Sequence, residues 1–161
     1  MTKKNISNYA CIGLHNPKSP TNVGSVMRAA GCYGANSVFY TGSRYDMAKQ
    51  FCTDTHKSYE DLPLIGVDDL ESAIPFGCVP VAVDLIEGAT PLPGYKHPPR
   101  AFYIFGPEDG TLKKNITRYC SDTIYVPTLE CMNLAATVNV ILYDRLAKGD
   151  DYSFHHDALR V

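Results

Sequence analysis

The chain has 161 residues, of which 45% are hydrophobic and 20% are charged. This length fits one domain with a core of its own, and the composition excludes a disordered or fibrous protein. The formal net charge of −2 excludes a strongly basic nucleic-acid binder as the global picture, while a local basic patch stays compatible with it. We expect a single domain over residues 1–149 and a polar tail over residues 150–161.

Targeting and membrane signals are not found in the sequence. Lys3 and Lys4 are followed by polar residues rather than by an apolar run, so we expect no secretory signal. No stretch approaches the roughly 20 apolar residues of a membrane span. The six cysteines form no C-x-x-C pair. We therefore expect a cytoplasmic protein that binds neither a membrane nor a metal ion.

Strand-like and helix-like stretches alternate along the chain. In chain order, apolar runs, apolar periodicity and capping residues predict a strand at 10–14, a helix at 22–33, a strand at 37–41, a short helix at 68–74, strands at 79–85 and 101–105, a helix at 112–119, a strand at 123–126 and a long helix at 132–147. Such interleaving predicts an α/β fold, with a mostly parallel sheet and helices on both faces.

Ligands bind parallel sheets at the carboxyl ends of the strands, in the loops that follow. Three predicted strand ends carry unusual loops, at residues 16–22, 106–111 and 127–133. We expect these three loops to converge on one site.

The last predicted helix is apolar over more than one face. Ala135, Val138, Leu142 and Leu146 form one stripe at helical spacing, and further apolar residues lie outside it. A helix of this kind is usually buried on two sides. Either both sides pack within the monomer, or one side forms a subunit interface.

The first loop contains two prolines and leads into the helix at 22–33. We expect Thr21 or Asn22 to cap this helix, whose free N–H groups would attract an anion. Arg28 follows on the same helix, from where it can reach a phosphate or carboxylate. The alternative is a capped helix with one solvated arginine.

The second and third loops each follow a predicted strand directly. The second reads Phe105-Gly106-Pro107-Glu108, where Gly106 lets the backbone approach a ligand closely and Glu108 projects from the turn. The third runs from Val126-Pro127 to Cys131-Met132-Asn133-Leu134 at the start of the last helix. Taken alone, the second is an ordinary turn and the third an ordinary loop with an Asn cap.

Together and in this order, the three motifs resemble those of the SpoU-type branch of the SPOUT, or knotted, RNA methyltransferases. The family pattern is an Asn-containing loop with an Arg one or two helix turns later, then Phe-Gly-x-Glu, then a Pro loop that leads into Ser-Leu/Met-Asn. The resemblance covers about residues 10–148. It implies an α/β sheet whose C-terminal part forms a deep trefoil knot, and a homodimer with the last helix in its interface.

The resemblance also implies an activity and a set of site residues. The family uses S-adenosylmethionine to methylate ribose 2′-hydroxyls in tRNA or rRNA. By position, Arg28 would activate the hydroxyl, and Asn22, Glu108 and Asn133 would shape the site and support Arg28. The residues implied for the cofactor pocket are Val83, Asp84, Leu85, Gly106, Val126, Cys131, Met132 and Leu134.

We expect no separate RNA-binding domain in this sequence, so RNA would have to be held by the dimer surface. Cationic residues in two segments are the candidates for phosphate contacts: Arg44, Lys49, Lys57, Lys113 and Lys114. The alternative is a solvated face with no RNA role.

Some positions depart from the family pattern. Cys131 replaces a serine, Ala135 replaces another, and the third loop is short. These departures keep a second hypothesis open, namely a knotted protein that binds RNA or cofactor without catalysis. A thiol enzyme with Cys131 as nucleophile is a third reading, but none of the histidines has a triad-like context.

Overall fold

The computed structural model describes residues 8–50 and 61–149. Within these two ranges, seven strands and four α-helices follow one another: β1 (Tyr9–Leu14), α1 (Pro20–Cys32), β2 (Ser37–Tyr40), α2 (Arg44–Lys49), β3 (Leu64–Gly66), β4 (Val79–Val83), β5 (Thr90–Pro91), β6 (Arg100–Phe105), α3 (Lys114–Thr117), β7 (Asp122–Tyr125) and α4 (Leu134–Lys148). A 3₁₀ turn, Leu92–Gly94, follows β5. The expected polar tail lies outside the described residues.

The strands form one sheet in the order β3-β2-β1-β6-β4-β7-β5. Every neighbouring pair is parallel. In this order β6 lies between β1 and β4, although it follows β4 and β5 in the chain. The prediction of an α/β fold with a parallel sheet is confirmed, and all strands present their carboxyl ends at one edge.

Both faces of the sheet are covered. On one face, α1 and α4 pack through Val26 and Val138, both fully buried, against strand residues such as Ile12. On the other face, Phe102 and Ile104 of β6 meet Leu112 and Ile116 of the segment around α3. Helices on both faces are therefore confirmed, and β6 is the central strand of both cores.

The predicted helix at 68–74 is wrong. The Asp69 carboxylate accepts hydrogen bonds from the backbone N–H and the hydroxyl of Ser72, both at 2.8 Å. The N–H groups of Ala73 and Ile74 donate to carbonyls only three residues back. This side-chain-to-backbone bonding competes with the helix, so the segment forms turns around the buried Leu70.

Three short elements, α2, β3 and β5, were not predicted, because they are too short to show a period. Pro91 lies in β5, which is an edge strand of the sheet, where a proline is tolerated although it has no N–H to donate to a neighbouring strand. The predicted helix at 112–119 is shorter in the structure, where α3 spans Lys114–Thr117.

The start of α1 corrects a second expectation. Its N-cap is Ser19, whose hydroxyl accepts from the Asn22 N–H at 3.3 Å, and Pro20 occupies the first helical position. Thr21 and Asn22 therefore lie inside the helix. Ser followed by Pro is a common start of a helix, because proline has no N–H to leave unbonded there.

A polar network anchors α4 at the amino ends of β1 and β6. Arg145 donates to the carbonyls of Pro98 and Pro99 at 2.6 and 2.7 Å, to Asn8 Oδ1 at 2.6 Å and to the Tyr103 hydroxyl at 3.1 Å. Because these acceptors belong to two separate segments, one before β1 and one leading into β6, one side chain fixes α4 to both strands.

We therefore expect Arg145→Ala to lower the free energy of unfolding by about 2–4 kcal/mol, because several partly buried acceptors lose a charged donor. Arg118→Ala is the matched control. Arg118 is 63% exposed and pairs with the exposed Glu71 carboxylate, so its loss should change stability by about 1 kcal/mol or less. Urea titration of both variants measures the difference, and equal midpoints would contradict the anchoring role.

No helix among the described residues is long and apolar enough to cross a membrane. Within the same ranges, His, Cys, Asp and Glu side chains form no group of three that could hold a metal ion.

Candidate active site

The three loops singled out in the sequence leave the carboxyl edge of the sheet. The first follows β1, the second follows β6 and the third follows β7. β1, β6, β4 and β7 are consecutive in the sheet, so these loops and the end of β4 share one stretch of that edge.

The first two loops are joined by the carboxylate of Glu108. Its Oε2 accepts from the Lys18 N–H at 3.0 Å, and its Oε1 accepts from the Ser19 N–H and from the Asn22 side-chain amide, both at 3.2 Å. Two of these donors immediately precede α1 and the third lies in its first turn. Glu108 is thus a latch between the loop after β6 and the start of α1.

The latch keeps its charge at neutral pH. Partial burial would raise the pKa of the Glu108 carboxyl, but this is outweighed by hydrogen bonds from backbone N–H groups and from Asn22, which hold the pKa below its usual value. Both oxygens of the carboxylate therefore already accept hydrogen bonds, and Glu108 acts as an ionised acceptor rather than as a base that takes up a proton.

Asp84 holds the far end of the second loop to the segment after β4. It follows β4, and its Oδ2 accepts from the Leu112 N–H at 2.6 Å. Leu112 in turn packs over Gly106, where an added Cβ would lie 3.4 Å from the Leu112 Cγ and N atoms. The loop after β6 is therefore braced at both ends, by Glu108 to α1 and by Asp84 to β4.

The remaining residues expected around a cofactor differ in how far they are buried. Val83 and Leu134 are buried and belong to the main core, so their side chains support the edge rather than project from it. Leu85 is 73% exposed. Val126 and Met132 are half-buried, and Cys131 is exposed.

The third loop is held by its own hydrogen bonds. The Thr128 hydroxyl donates to the Glu130 carbonyl at 2.7 Å, and Leu129 is fully exposed. Asn133 is the N-cap of α4, with its Oδ1 accepting from the Ala136 N–H at 2.8 Å. The helix predicted to begin at residue 132 therefore begins at Leu134, and the side-chain oxygen of Asn133 is committed to the cap.

A substitution at Asn133 separates capping from a role in the site. Asn133→Ala should lower the free energy of unfolding by about 1 kcal/mol, because Ala leaves the Ala136 N–H without its acceptor. Asn133→Asp keeps an acceptor oxygen and should retain the stability. If Asn133→Asp is stable but defective in the activity that the resemblance implies, the amide nitrogen acts in the site. If the two variants differ from the wild type in stability alone, the residue is only a cap.

Arg28 lies six residues beyond Asn22 on α1 and is exposed to solvent. Its neighbours Met27 and Ala29 are buried against the core, so Arg28 is on the outer side of the helix. The structure thus places Arg28 on the helix whose start is held by the latch, whose donors are Lys18, Ser19 and Asn22.

The cationic residues expected to bind RNA differ in their surroundings. Arg44 donates to the Asp109 carboxylate and to the Asn16 carbonyl, and Lys49 pairs with Asp46 at 2.9 Å. Lys113 and Lys114 are exposed beside the second loop. Lys57 lies outside the described residues.

A shallow cavity of about 610 Å³ opens at the carboxyl ends of β2 and β3, beside this site. Its polar lining includes Asp46 and Asp68 and the Tyr40 hydroxyl, which donates to Asp46 at 2.7 Å. Two carboxylates disfavour a phosphate, so this cavity does not extend the basic surface.

Sequence analysis missed the contacts that join the loops. Arg44, Asp109 and Asp84 carry no motif of their own, and the Lys18 and Ser19 donors belong to the backbone. The available signals were weak: Asn16-Pro17 marks a turn, and Ser19-Pro20 marks a helix start.

Several solved structures share the fold of this chain. In fold, the chain is similar to AviRb of Streptomyces viridochromogenes, a SpoU methyltransferase crystallised with AdoMet (20% identity, 87% of this chain and 57% of that chain, TM-score 0.70). It is also similar to the TrmH/SpoU tRNA modifying enzyme of A. aeolicus (17% identity, 86% of this chain and 74% of that chain, TM-score 0.72). A third similar structure is that of a protein studied for the 2-OH methylation of C/U34 on tRNA (21% identity, 87% of this chain and 95% of that chain, TM-score 0.66).

The model of the SpoU rRNA methylase family matches residues 9–143. The chain belongs to this family. It spans 57% of the length of the AviRb chain. A comparison with curated protein sequences gives no significant match.

Proposed function

We propose that this protein transfers a methyl group from S-adenosylmethionine to a ribose 2′-hydroxyl of RNA, with tRNA as the favoured substrate. The observation that carries the proposal is the Glu108 latch: in a chain of the SpoU family, it joins the Phe-Gly-Pro-Glu loop to the helix that bears Asn22 and Arg28. The third motif follows β7 at the same carboxyl edge of the sheet, where parallel α/β sheets bind ligands.

S-adenosylmethionine is the cofactor, and it supplies a methyl group on a sulfonium that a hydroxyl oxygen can attack directly. The edge suits it, because the exposed Leu85 and Leu129, at the ends of the neighbouring strands β4 and β7, offer apolar surface to an adenine ring. Backbone groups around Gly106, Cys131 and Met132 are the proposed polar contacts, and Val83, Asp84, Val126 and Leu134 hold these segments in place.

The chain's own contribution is orientation. Arg28 remains protonated at any ordinary pH, so we assign it to orienting the 2′-hydroxyl and clamping the adjacent phosphate with its planar fork of donors. Glu108 and Asn22 hold the start of α1, and the Asn133 cap holds the start of α4. Fixing the attacking oxygen in line with the methyl group supplies most of the rate enhancement, and the hydroxyl proton leaves to solvent.

RNA is captured by the exposed lysines beside the second loop, Lys113 and Lys114, together with Lys49 and Lys57. Because these are phosphate contacts on a protein of net charge −2, affinity should fall steeply with added salt. RNA affinity that is unchanged at high salt would contradict capture by these residues.

The proposed assembly is a cytoplasmic homodimer that pairs through α4. Five residues of α4 are buried in the monomer core, yet Tyr143 is 59% exposed and makes an edge-on contact with Tyr33 after α1. We also propose the trefoil knot, in which α4 passes through the segment that joins β4 to β6. Lys148 Nζ donates to the carbonyls of Leu92 and Tyr95 in that segment, which supports this threading.

Calorimetric titration with S-adenosylhomocysteine, the reaction product, tests the cofactor site before any RNA is known. Saturable binding near one site per subunit is the expected result. Incubation with labelled S-adenosylmethionine and RNA from cells lacking this protein then tests transfer. Binding without methyl incorporation would favour the alternative of a non-catalytic cofactor-binding protein, and failure to bind the product would overturn the proposed cofactor site.

A further inference from the structure

We propose that Arg44 is a positioning residue of the transfer site: it fastens the loop after β6 to the loop after β1 and so holds the Glu108 latch closed. The assignment rests on the proposed function for its catalytic consequence. It also replaces the expectation that Arg44 binds RNA phosphate.

The contacts of Arg44 join three separate segments. Its Nη1 donates to both Asp109 oxygens, Oδ1 at 3.1 Å and Oδ2 at 2.8 Å, and its Nη2 donates to Asp109 Oδ1 at 3.1 Å. The same Nη2 donates to the carbonyl of Asn16 at 2.6 Å. Arg44 itself begins α2, which follows β2. One guanidinium therefore ties together the loops that leave β1, β2 and β6.

The junction differs from an ordinary surface ion pair. The Arg44 side chain is only 29% exposed, and its Nε is buried without a hydrogen-bond partner among the described residues. Burying such a donor is unfavourable, so the side chain is held there by its other contacts. A guanidinium paired two-to-two with a carboxylate is geometrically specific, which a lysine at this position could not reproduce.

The backbone on the receiving side is shaped for this contact. Asn16 adopts a left-handed conformation, with φ of 49°, and its N–H donates to the Thr41 hydroxyl at 3.1 Å. Gly42, with φ of 80°, lies so close to Asn16 that any side chain there would overlap it. In this conformation the Asn16 carbonyl accepts the hydrogen bond from Arg44.

The junction lies next to the latch in the chain. Asp109 directly follows Glu108, and Asn16 lies two residues before Lys18, whose N–H the latch accepts. Releasing Asp109 removes the constraint immediately beside Glu108. The contacts that the Asp109 carboxylate makes with Arg44 also lower its pKa, through a hydrogen bond and then through charge, so the pair is ionised at neutral pH.

A phosphate could reach the same guanidinium only by displacing Asp109, which disfavours RNA contact at Arg44. The two roles predict opposite effects of Asp109. If Arg44 positions the two loops, removal of Asp109 should impair the site. If Arg44 binds RNA, removal of this neighbouring carboxylate should strengthen RNA binding.

The test is a double-mutant cycle on the full chain with Arg44→Ala, Asp109→Ala and both together. The first readout is the dissociation constant for S-adenosylhomocysteine by calorimetry. We expect each single variant to weaken binding about tenfold, and the double variant to be no weaker than either one, because both break the same contact. Arg118→Ala and Glu71→Ala remove a surface pair of the same type and should leave binding within about twofold.

A second readout does not depend on the cofactor. Amide hydrogen exchange at Lys18 and Ser19 should speed up in Arg44→Ala and Asp109→Ala and stay unchanged in Arg118→Ala, while thermal unfolding confirms that each variant is folded. Arg44→Lys should recover little of either loss, because it lacks the fork. Where an RNA substrate is in hand, kcat should fall more than KM rises.

The outcomes are separable from those of the proposed function. If the wild-type chain fails to bind the product, the cofactor site is wrong, and the exchange measurement still decides the role of Arg44. Unchanged exchange and product affinity in Arg44→Ala overturn the positioning role. Stronger RNA binding in Asp109→Ala, with unchanged product affinity, assigns Arg44 to RNA instead.

Discussion

Arg28→Ala should reduce methyl transfer about a thousandfold or more while leaving the affinity for S-adenosylhomocysteine within about twofold. The size of the loss is that of removing one preorganised charged donor from a reacting centre. Product affinity should survive because Arg28 is assigned to the hydroxyl and phosphate of the RNA, whereas the cofactor is proposed to be held by the segments after β4, β6 and β7. Labelled methyl incorporation and calorimetry measure the two quantities.

Arg28→Lys distinguishes what the side chain does. If Arg28 clamps a phosphate and orients the hydroxyl, lysine keeps the charge and loses the fork, so transfer should recover in part. Arg118→Ala serves as the control for loss of one exposed cation. Normal turnover by Arg28→Ala would falsify the role assigned to Arg28 and leave the cofactor site standing.

Glu108→Gln should reduce both methyl transfer, by about a hundredfold, and the affinity for the reaction product. Both carboxylate oxygens accept hydrogen bonds, so either orientation of the glutamine amide points N–H groups at another donor. The loop after β6 is then no longer held to α1, and a shift of about 1 Å at a reacting centre is worth about two orders of magnitude.

The pH dependence of this latch follows from the sign of its shift. Because the pKa of Glu108 in the folded protein lies below its usual value, the latch stabilises the site at neutral pH and is lost as the pH falls through that pKa. Product affinity of the wild type should therefore weaken at acid pH, and that of Glu108→Gln should depend less on pH. Glu71→Gln is the control for loss of an exposed carboxylate; an acid profile of Glu108→Gln identical to that of the wild type would refute the latch.

Strand positions were readable in the sequence because buried strands are continuous apolar runs. The strands predicted at 10–14 and 101–105 correspond to β1 and β6, and each predicted bound agrees with the observed one to within one residue. The helix at 68–74 was not readable, since Asp69 and Ser72 satisfy the local backbone by a route that apolar periodicity does not register. The elements α2, β3 and β5 were too short for any pattern.

The family was also accessible from sequence, because its motifs depend on residue type and order: Asn22 with Arg28, then Phe105-Gly106-Pro107-Glu108, then Cys131-Met132-Asn133. The family match over residues 9–143 agrees with the extent of that resemblance. Composition and periodicity alone led only to an α/β fold with a site at the carboxyl edge of the sheet.

Tertiary structure decided how the site is held together. Glu108 reaches Lys18 and Ser19 across about 90 positions of chain, and Arg44 reaches Asp109 across 65. Such contacts depend on strand order, which places β6 beside β1, and no local pattern records that order. Residue types therefore determined which groups are available for chemistry, whereas the parallel pairing of distant strands determined which of them meet.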